Sequence, residues 1–269
     1  MLRREKPRPP FVLDVLRTEE VAEGIVRIVL GGPTFDTYED NGFADRYAKL
    51  LFAPPGVTYD DPTDIAGIRE QRPPEEHPRS RTYTIRWWHP EDHELAIDFV
   101  LHGDAGIAAP WAASARPGDR IVALGPGGAY RPDPTAAFHL FVADDAALPA
   151  VAAALDELPD DAEVFAVIAL DVVSRASYLG DRFADRIQVI DRSEGPALDV
   201  ATAALTLPDG DGQAFVHTEL SMVRPLKAML RDRFEGDRLS LSGYWREGKD
   251  EDGFQAEKRT LAEAARSAS

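Results

Sequence analysis

The chain has 269 residues, no cysteine and a formal net charge of −17. Without thiols it has no disulfides, thiolate nucleophiles or cysteine-ligated zinc or iron–sulfur centres of its own, so redox chemistry would have to come from a bound organic group. An acidic chain of this kind lacks the clustered cations that non-specific nucleic-acid binding needs and is repelled by anionic lipid.

Met1 to Pro10 is charged and Pro-rich, with no apolar signal core. No apolar run is long enough to cross a bilayer, so a cytoplasmic protein without membrane insertion is expected. Phe11 to Leu16 and Gly24 to Leu30 read as two antiparallel strands, and Tyr47 to Phe52 as a third, stopped by Pro54-Pro55. Pro54 to Ser80 is long, polar and rich in Pro, Asp and Glu, and is expected to be a mobile flap. Arg81 to Arg86 is a strand that Trp87, Trp88 and His89-Pro90 end, with Leu95 to Leu101 as its hairpin partner. Pro117-Gly118-Asp119 turns the chain into a strand over Arg120 to Leu124. Strand after strand with turn punctuation predicts a six-stranded antiparallel β-barrel.

After Pro132-Asp133-Pro134 the pattern changes. Apolar runs at His139 to Ala143, Glu163 to Leu170, Ile187 to Ile190, Ala214 to His217 and Leu239 to Tyr244 read as parallel strands. A helix is expected over Ala147 to Leu158, with Pro149 in its first turn. A second is expected over Ser221 to Phe234 with Ser221 as N-cap. Strands alternating with helices predict a doubly wound α/β domain. The expected domains are 1–134 and 135–269, the latter ending in an Ala-rich helical tail from Glu257.

Four stretches carry chemistry. In Arg81-Thr82-Tyr83-Thr84, an Arg fork suits phosphate, a Tyr ring covers a planar heterocycle and a Thr hydroxyl reaches the edge nitrogen of that ring. This makes a flavin cradle, although the same hexamer also reads as an ordinary half-buried strand with exposed arginines. Asp98-Phe99-Val100-Leu101-His102-Gly103 runs through a small-residue turn into a short helix holding Ala108, Ala109, Trp111 and Ala112. Unpaired amides there would seat a pyrophosphate, or merely connect strand to helix. Ala143-Asp144-Asp145-Ala146-Ala147 is a strand end turning into a helix, where open α/β sheets bind ligands. No dinucleotide-binding glycine fingerprint or P-loop accompanies it. Gly243-Tyr244-Trp245-Arg246 closes the last strand as either a cleft wall or a packed corner.

Taken together and in this order, these stretches resemble the siderophore-interacting protein family of the ferredoxin–NADP reductase superfamily. Tyr47-Ala48-Lys49-Leu50-Leu51-Phe52 joins them, and the resemblance runs from Phe11 to Gly253. It implies an FAD-binding barrel, an α/β domain for NADPH or NADH, and reduction of ferric siderophores with release of ferrous iron. By position it implies that Arg81, Thr82, Tyr83 and Thr84 hold the flavin, with Thr84 beside the reactive ring nitrogen. Asp98, Phe99, Val100, His102, Ala108, Ala109, Trp111 and Ala112 would hold the ribityl and pyrophosphate. Asp144, Asp145, Ala147 and Glu219 would lie around the pyridine nucleotide, and Lys49, Arg131 and Arg246 would meet an anionic siderophore. The chain departs from the family pattern at Ala143, Ala146 and Thr218, which leaves the choice of reductant open. A monomer without a protein-bound metal is expected. A different flavin or electron-carrier reductase on the same scaffold, or a non-catalytic siderophore- or nucleotide-binding protein, is the alternative.

Overall fold

A computed structural model describes residues 9–101, 106–249, 253, 254, 257, 258 and 260. The first half of the chain forms β1 (Phe11–Ala22), β2 (Ile25–Gly31), β3 (Tyr47–Phe52), β4 (Arg79–His89), β5 (Glu94–Val100) and β6 (Arg120–Gly127). These six strands close into a barrel in the order β1-β2-β5-β4-β3-β6. The last seam pairs Phe11 with Ala123 and Asp14 with Arg120, antiparallel. Inward-facing Leu13, Ile28, Leu30, Leu50, Ile85, Ile97 and Phe99 fill its interior, and water exclusion from that apolar surface is the main stabilising term.

Three local expectations change. β1 runs six residues past Leu16, because Arg17 to Glu20 stay exposed and so give no alternation to read. The segment expected to be a mobile flap contains α1 (Ile65–Gln71), where the Asp64 side chain caps the helix by accepting from the Gly67 amide at 2.9 Å. β4 continues through both tryptophans, since Trp88 pairs with Leu95 and stacks on Phe35 at 4.0 Å. Pro90 follows the strand.

The second half forms β7 (Phe138–Asp144), β8 (Val164–Leu170), β9 (Ile187–Asp191), β10 (Gly212–Glu219) and β11 (Leu239–Trp245). They make one sheet in the order β11-β10-β7-β8-β9, parallel at every pair. Its connections carry α3 (Leu148–Asp156), α4 (Leu198–Ala203) and α5 (Leu220–Leu230). Every residue of β7 and β10 is buried, which explains their near-continuous apolar runs. α5 is capped by Glu219 rather than Ser221: the Glu219 carboxylate accepts from the Ser221 amide at 2.5 Å. That helix stops at Leu230, short of the expected Phe234. The barrel followed by a parallel α/β sheet is the expected fold class.

The described residues divide into two compact units. The first comprises the residues up to Glu20, Val26–Gly42 and Arg46–Gly128; the second comprises Val21–Ile25, Phe43–Asp45 and the residues from Ala129 onward. No helix among the described residues is long and apolar enough to cross a membrane. Of the expected helical tail, Glu257, Lys258 and Thr260 are helical, and the rest lies outside the described residues.

Candidate functional site

In the barrel unit the candidate site is built on β4, β5 and α2 (Ala108–Ser114). Tyr83 packs one side of its ring on Phe99, centroids 4.3 Å apart, and stays half-exposed. Phe99 is itself fixed against Trp111 at 5.8 Å, and Trp111 against Phe52 at 5.6 Å. This aromatic chain ties β3, β4 and β5 to α2 and braces the Tyr83 ring. The half-buried Arg81 guanidinium donates to the Ser80 carbonyl at 2.7 Å and meets no carboxylate among the described residues. Beside it the Ser80 hydroxyl is buried without a partner. Thr84 is buried, and its hydroxyl has no hydrogen bond among the described residues; Thr82, across from Lys49 on β3, is exposed. In a chain at −17, an arginine without a carboxylate next to the orphaned Ser80 hydroxyl fits an anionic, hydrogen-bonding ligand, and the half-exposed Tyr83 ring fits a flat one, as FAD is.

Asp98 sits differently from the ligand contact expected of it. It is 1 % exposed, and Arg27 on β2 donates to both of its oxygens at 2.8 Å. Its carboxylate therefore clamps β5 to β2. Ala108 and Ala112 are buried in the barrel core, while Ala109 is half-buried. Val100 ends β5 half-buried, and His102 lies outside the described residues.

In the α/β unit, chain order reverses between β7 and β10, the point where open parallel sheets take ligands beyond their carboxyl ends. Asp144 occupies that point, 2 % exposed. One of its oxygens accepts from the Thr218 hydroxyl at 2.9 Å, the Glu219 amide at 2.8 Å and the Trp245 indole at 2.8 Å. The other accepts from the Ala146 amide at 3.1 Å. Burial raises its pKa, and these four bonds pull against that shift. Asp145 is also buried. It accepts from Arg175 at 2.7 Å and from the Asp171 amide at 2.8 Å. Both carboxylates thus hold the turn together from inside, and Ala147 is buried behind them.

Glu219 caps α5 and accepts from Arg246 at 3.1 Å and from the Glu247 amide at 3.2 Å. Burial acts to raise its pKa, but the bonds from Ser221, Glu247 and Arg246 hold it below the usual carboxylate value. Arg246, expected as a siderophore-facing cation, is therefore neutralised at its own strand end, with Glu257 at 3.7 Å as a second partner. Lys49 is half-buried and meets no carboxylate among the described residues. Arg131 is exposed and lies 5.9 Å from the Phe43 ring centroid. His217 bonds Ser240 at 2.9 Å. Burial, with the Lys258 charge behind it, lowers its pKa to about 3, which rules it out as a proton donor near neutrality.

Sequence reading misses Arg27 and Arg175, the residues that hold Asp98 and Asp145. The available signal is an arginine inside an otherwise apolar strand, Ile25-Val26-Arg27-Ile28, which calls for a buried carboxylate nearby.

Two family models match the chain: a siderophore-interacting FAD-binding domain over residues 14–130 and a siderophore-interacting protein domain over 136–248. An uncharacterized protein of Mycobacterium tuberculosis is 36% identical over 284 residues, covering 96% of this chain and 97% of its own. The NADPH-dependent ferric-chelate reductase of Escherichia coli is 32% identical over 241 residues, covering 87% and 91%. The crystal structure of the siderophore-interacting protein SipS from Aeromonas hydrophila superposes with a TM-score of 0.76 at 27% identity, covering 95% of this chain and 99% of that one. The chain belongs to the siderophore-interacting protein family, with an FAD-binding barrel as its first domain.

Proposed function

We propose that this protein is an FAD-dependent reductase that uses NADPH or NADH to reduce ferric siderophores and release ferrous iron. The observation that carries the reading is Arg81: a half-buried cation without a carboxylate, beside the orphaned Ser80 hydroxyl and the half-exposed Tyr83 ring. Similarity to the ferric-chelate reductase supplies the reaction class. Bound FAD would supply the step from two-electron donor to one-electron acceptor.

The chain's own residues bind and orient. Arg81 would pair with phosphate, Tyr83 would cover one face of the ring system and the Thr84 hydroxyl would bond its edge. Phe99, Trp111 and Phe52 keep that platform in place. Asp98 would act through the backbone it anchors, because Arg27 occupies its oxygens. Asp144, Asp145 and Ala147 would shape the turn that a pyridine nucleotide approaches, and Glu219 would present the start of α5. Of the three cations expected to meet an anionic siderophore, Lys49 is the best placed to give its full charge, since Arg246 already serves Glu219 and Glu257. An iron ligand from the protein is not required.

The test is the absorption spectrum of the purified protein before and after anaerobic NADPH and NADH. A flavin band near ~450 nm that bleaches with nucleotide and returns on adding a ferric siderophore is the expected result. A colourless protein that FAD does not reconstitute would overturn the reading. A flavoprotein that reduces dyes or free FMN but no ferric siderophore would reassign the substrate.

A further inference from the structure

Along the carboxyl edge of the parallel sheet, one ion pair stands outside the contacts described so far. Asp171 directly follows β8 and Arg192 directly follows β9; their side chains meet at 2.5 Å, 37% and 36% exposed respectively. The Arg192 amide also bonds the Leu170 carbonyl at 2.9 Å, so the pair sits on fixed backbone. On its other side the Arg192 guanidinium lies 5.0 Å from the Trp245 ring centroid. Trp245 is in turn held by Asp144 at the switch point. The guanidinium is therefore braced between a carboxylate and an indole, on the sheet edge that leads from the switch point toward β9.

In a nucleotide-binding sheet of this topology, the phosphates sit at the turn after the first strand, and the adenosine ribose extends toward the end of the second. Asp171 stands at that end, with Arg192 beside it. A carboxylate there accepts from a ribose 2′-hydroxyl, whereas an arginine accommodates a 2′-phosphate. Here the two are paired with each other. A 2′-hydroxyl can bond Asp171 without disturbing the pair; a 2′-phosphate must displace Asp171 from Arg192 and then face its charge.

We propose that Asp171 and Arg192 together read the 2′ position of the pyridine nucleotide's adenosine ribose, and that the carboxylate biases the chain toward the unphosphorylated form, NADH. The inference rests on the reading that the chain binds a pyridine nucleotide. It differs from what the name of the ferric-chelate reductase relative says of that protein.

The test titrates ADP-ribose and 2′-phospho-ADP-ribose, fragments that differ only at the 2′ position and undergo no redox chemistry, into the FAD-loaded full chain by calorimetry. Wild type should bind ADP-ribose more tightly. Asp171→Asn, nearly isosteric, should shift the ratio of the two dissociation constants toward the phosphorylated fragment by about tenfold. Adding Arg192→Ala should remove that gain, and Arg192→Lys should restore part of it. An unchanged thermal melt and far-UV circular dichroism spectrum show that each variant's α/β unit is folded. If both fragments bind and neither variant moves the ratio, the pair is a surface ion pair and the inference fails while the nucleotide reading stands. If neither fragment binds wild type, the nucleotide reading fails and the inference falls with it.

Discussion

The Trp245 indole donates to the Asp144 carboxylate at 2.8 Å across 101 residues of sequence, joining the end of β11 to the end of β7. Because Asp144 is buried, losing one of its four donors is costly. Trp245→Phe should destabilise the protein by about 1–3 kcal/mol, read from urea denaturation. The loss should depend on pH. Burial raises the folded pKa of Asp144, so its protonation favours the folded state below the ordinary carboxylate range, and that contribution is lost as pH rises through the folded value. The protonated acid needs fewer donors, so the Trp245→Phe penalty should shrink in acid. An equal penalty at both ends of the pH range would mean that Asp144 is not what Trp245 supports.

Glu219 has the opposite sign. Its folded pKa is lowered, so its contribution is present above the ordinary carboxylate range and is lost as pH falls through the folded value. Glu219→Gln should cost about 1 kcal/mol near neutrality through the α5 cap and nothing at low pH. Thermal melts at the two pH values would show it.

Arg27 and Asp98 form an ion pair in the barrel whose carboxylate is fully buried and whose guanidinium is 18% exposed. Asp98→Ala should cost about 1–3 kcal/mol, since Arg27 keeps solvent access and a second carboxylate, Glu19, at 3.7 Å, and replacing both residues with apolar ones of similar volume should recover part of that. A double-mutant cycle in denaturant decides this. If the double variant is no better than Asp98→Ala alone, shape rather than charge governs the contact.

Arg81→Ala should weaken FAD binding about ten- to a hundredfold, the loss of one charge-assisted contact. Tyr83→Phe should leave it nearly unchanged and Tyr83→Ala should weaken it, because the ring rather than the hydroxyl is what Phe99 presents. Equilibrium dialysis of flavin from each variant separates these outcomes; unaltered retention in Arg81→Ala would remove the phosphate role.

Lys49→Ala should raise KM for an anionic ferric siderophore while flavin content stays constant, and Arg246→Ala should act mainly on stability through Glu219. Steady-state kinetics and melting curves on the same two variants test the division. A KM change confined to Arg246→Ala would reverse it.

The sheet was readable because buried parallel strands must be continuously apolar, and Tyr47–Phe52 was bounded correctly because Pro54 and Pro55 follow it. The side-chain roles were less readable. A carboxylate at a strand end among alanines, such as Asp144, reads as a ligand contact; nothing local reveals that Trp245 reaches it from 101 residues away. Asp98 is the same case, its partner Arg27 lying 71 residues earlier. Arg81, Tyr83 and Thr84 suggest a cradle by residue type, but strand alternation sends Tyr83 and Thr84 to opposite faces, so the hexamer alone reads equally as an ordinary half-buried strand.

The seam that pairs Phe11 with Ala123 dictates an order of events during synthesis. A ribosome must deliver the strand ending at Gly127 before the first strand has its second neighbour, so the nascent barrel waits with two raw edges over most of its translation. Such long-range closure is slow. A stall anywhere before that point leaves the emerging polypeptide open to pairing with strangers, which makes the interval one in which a chaperone would matter.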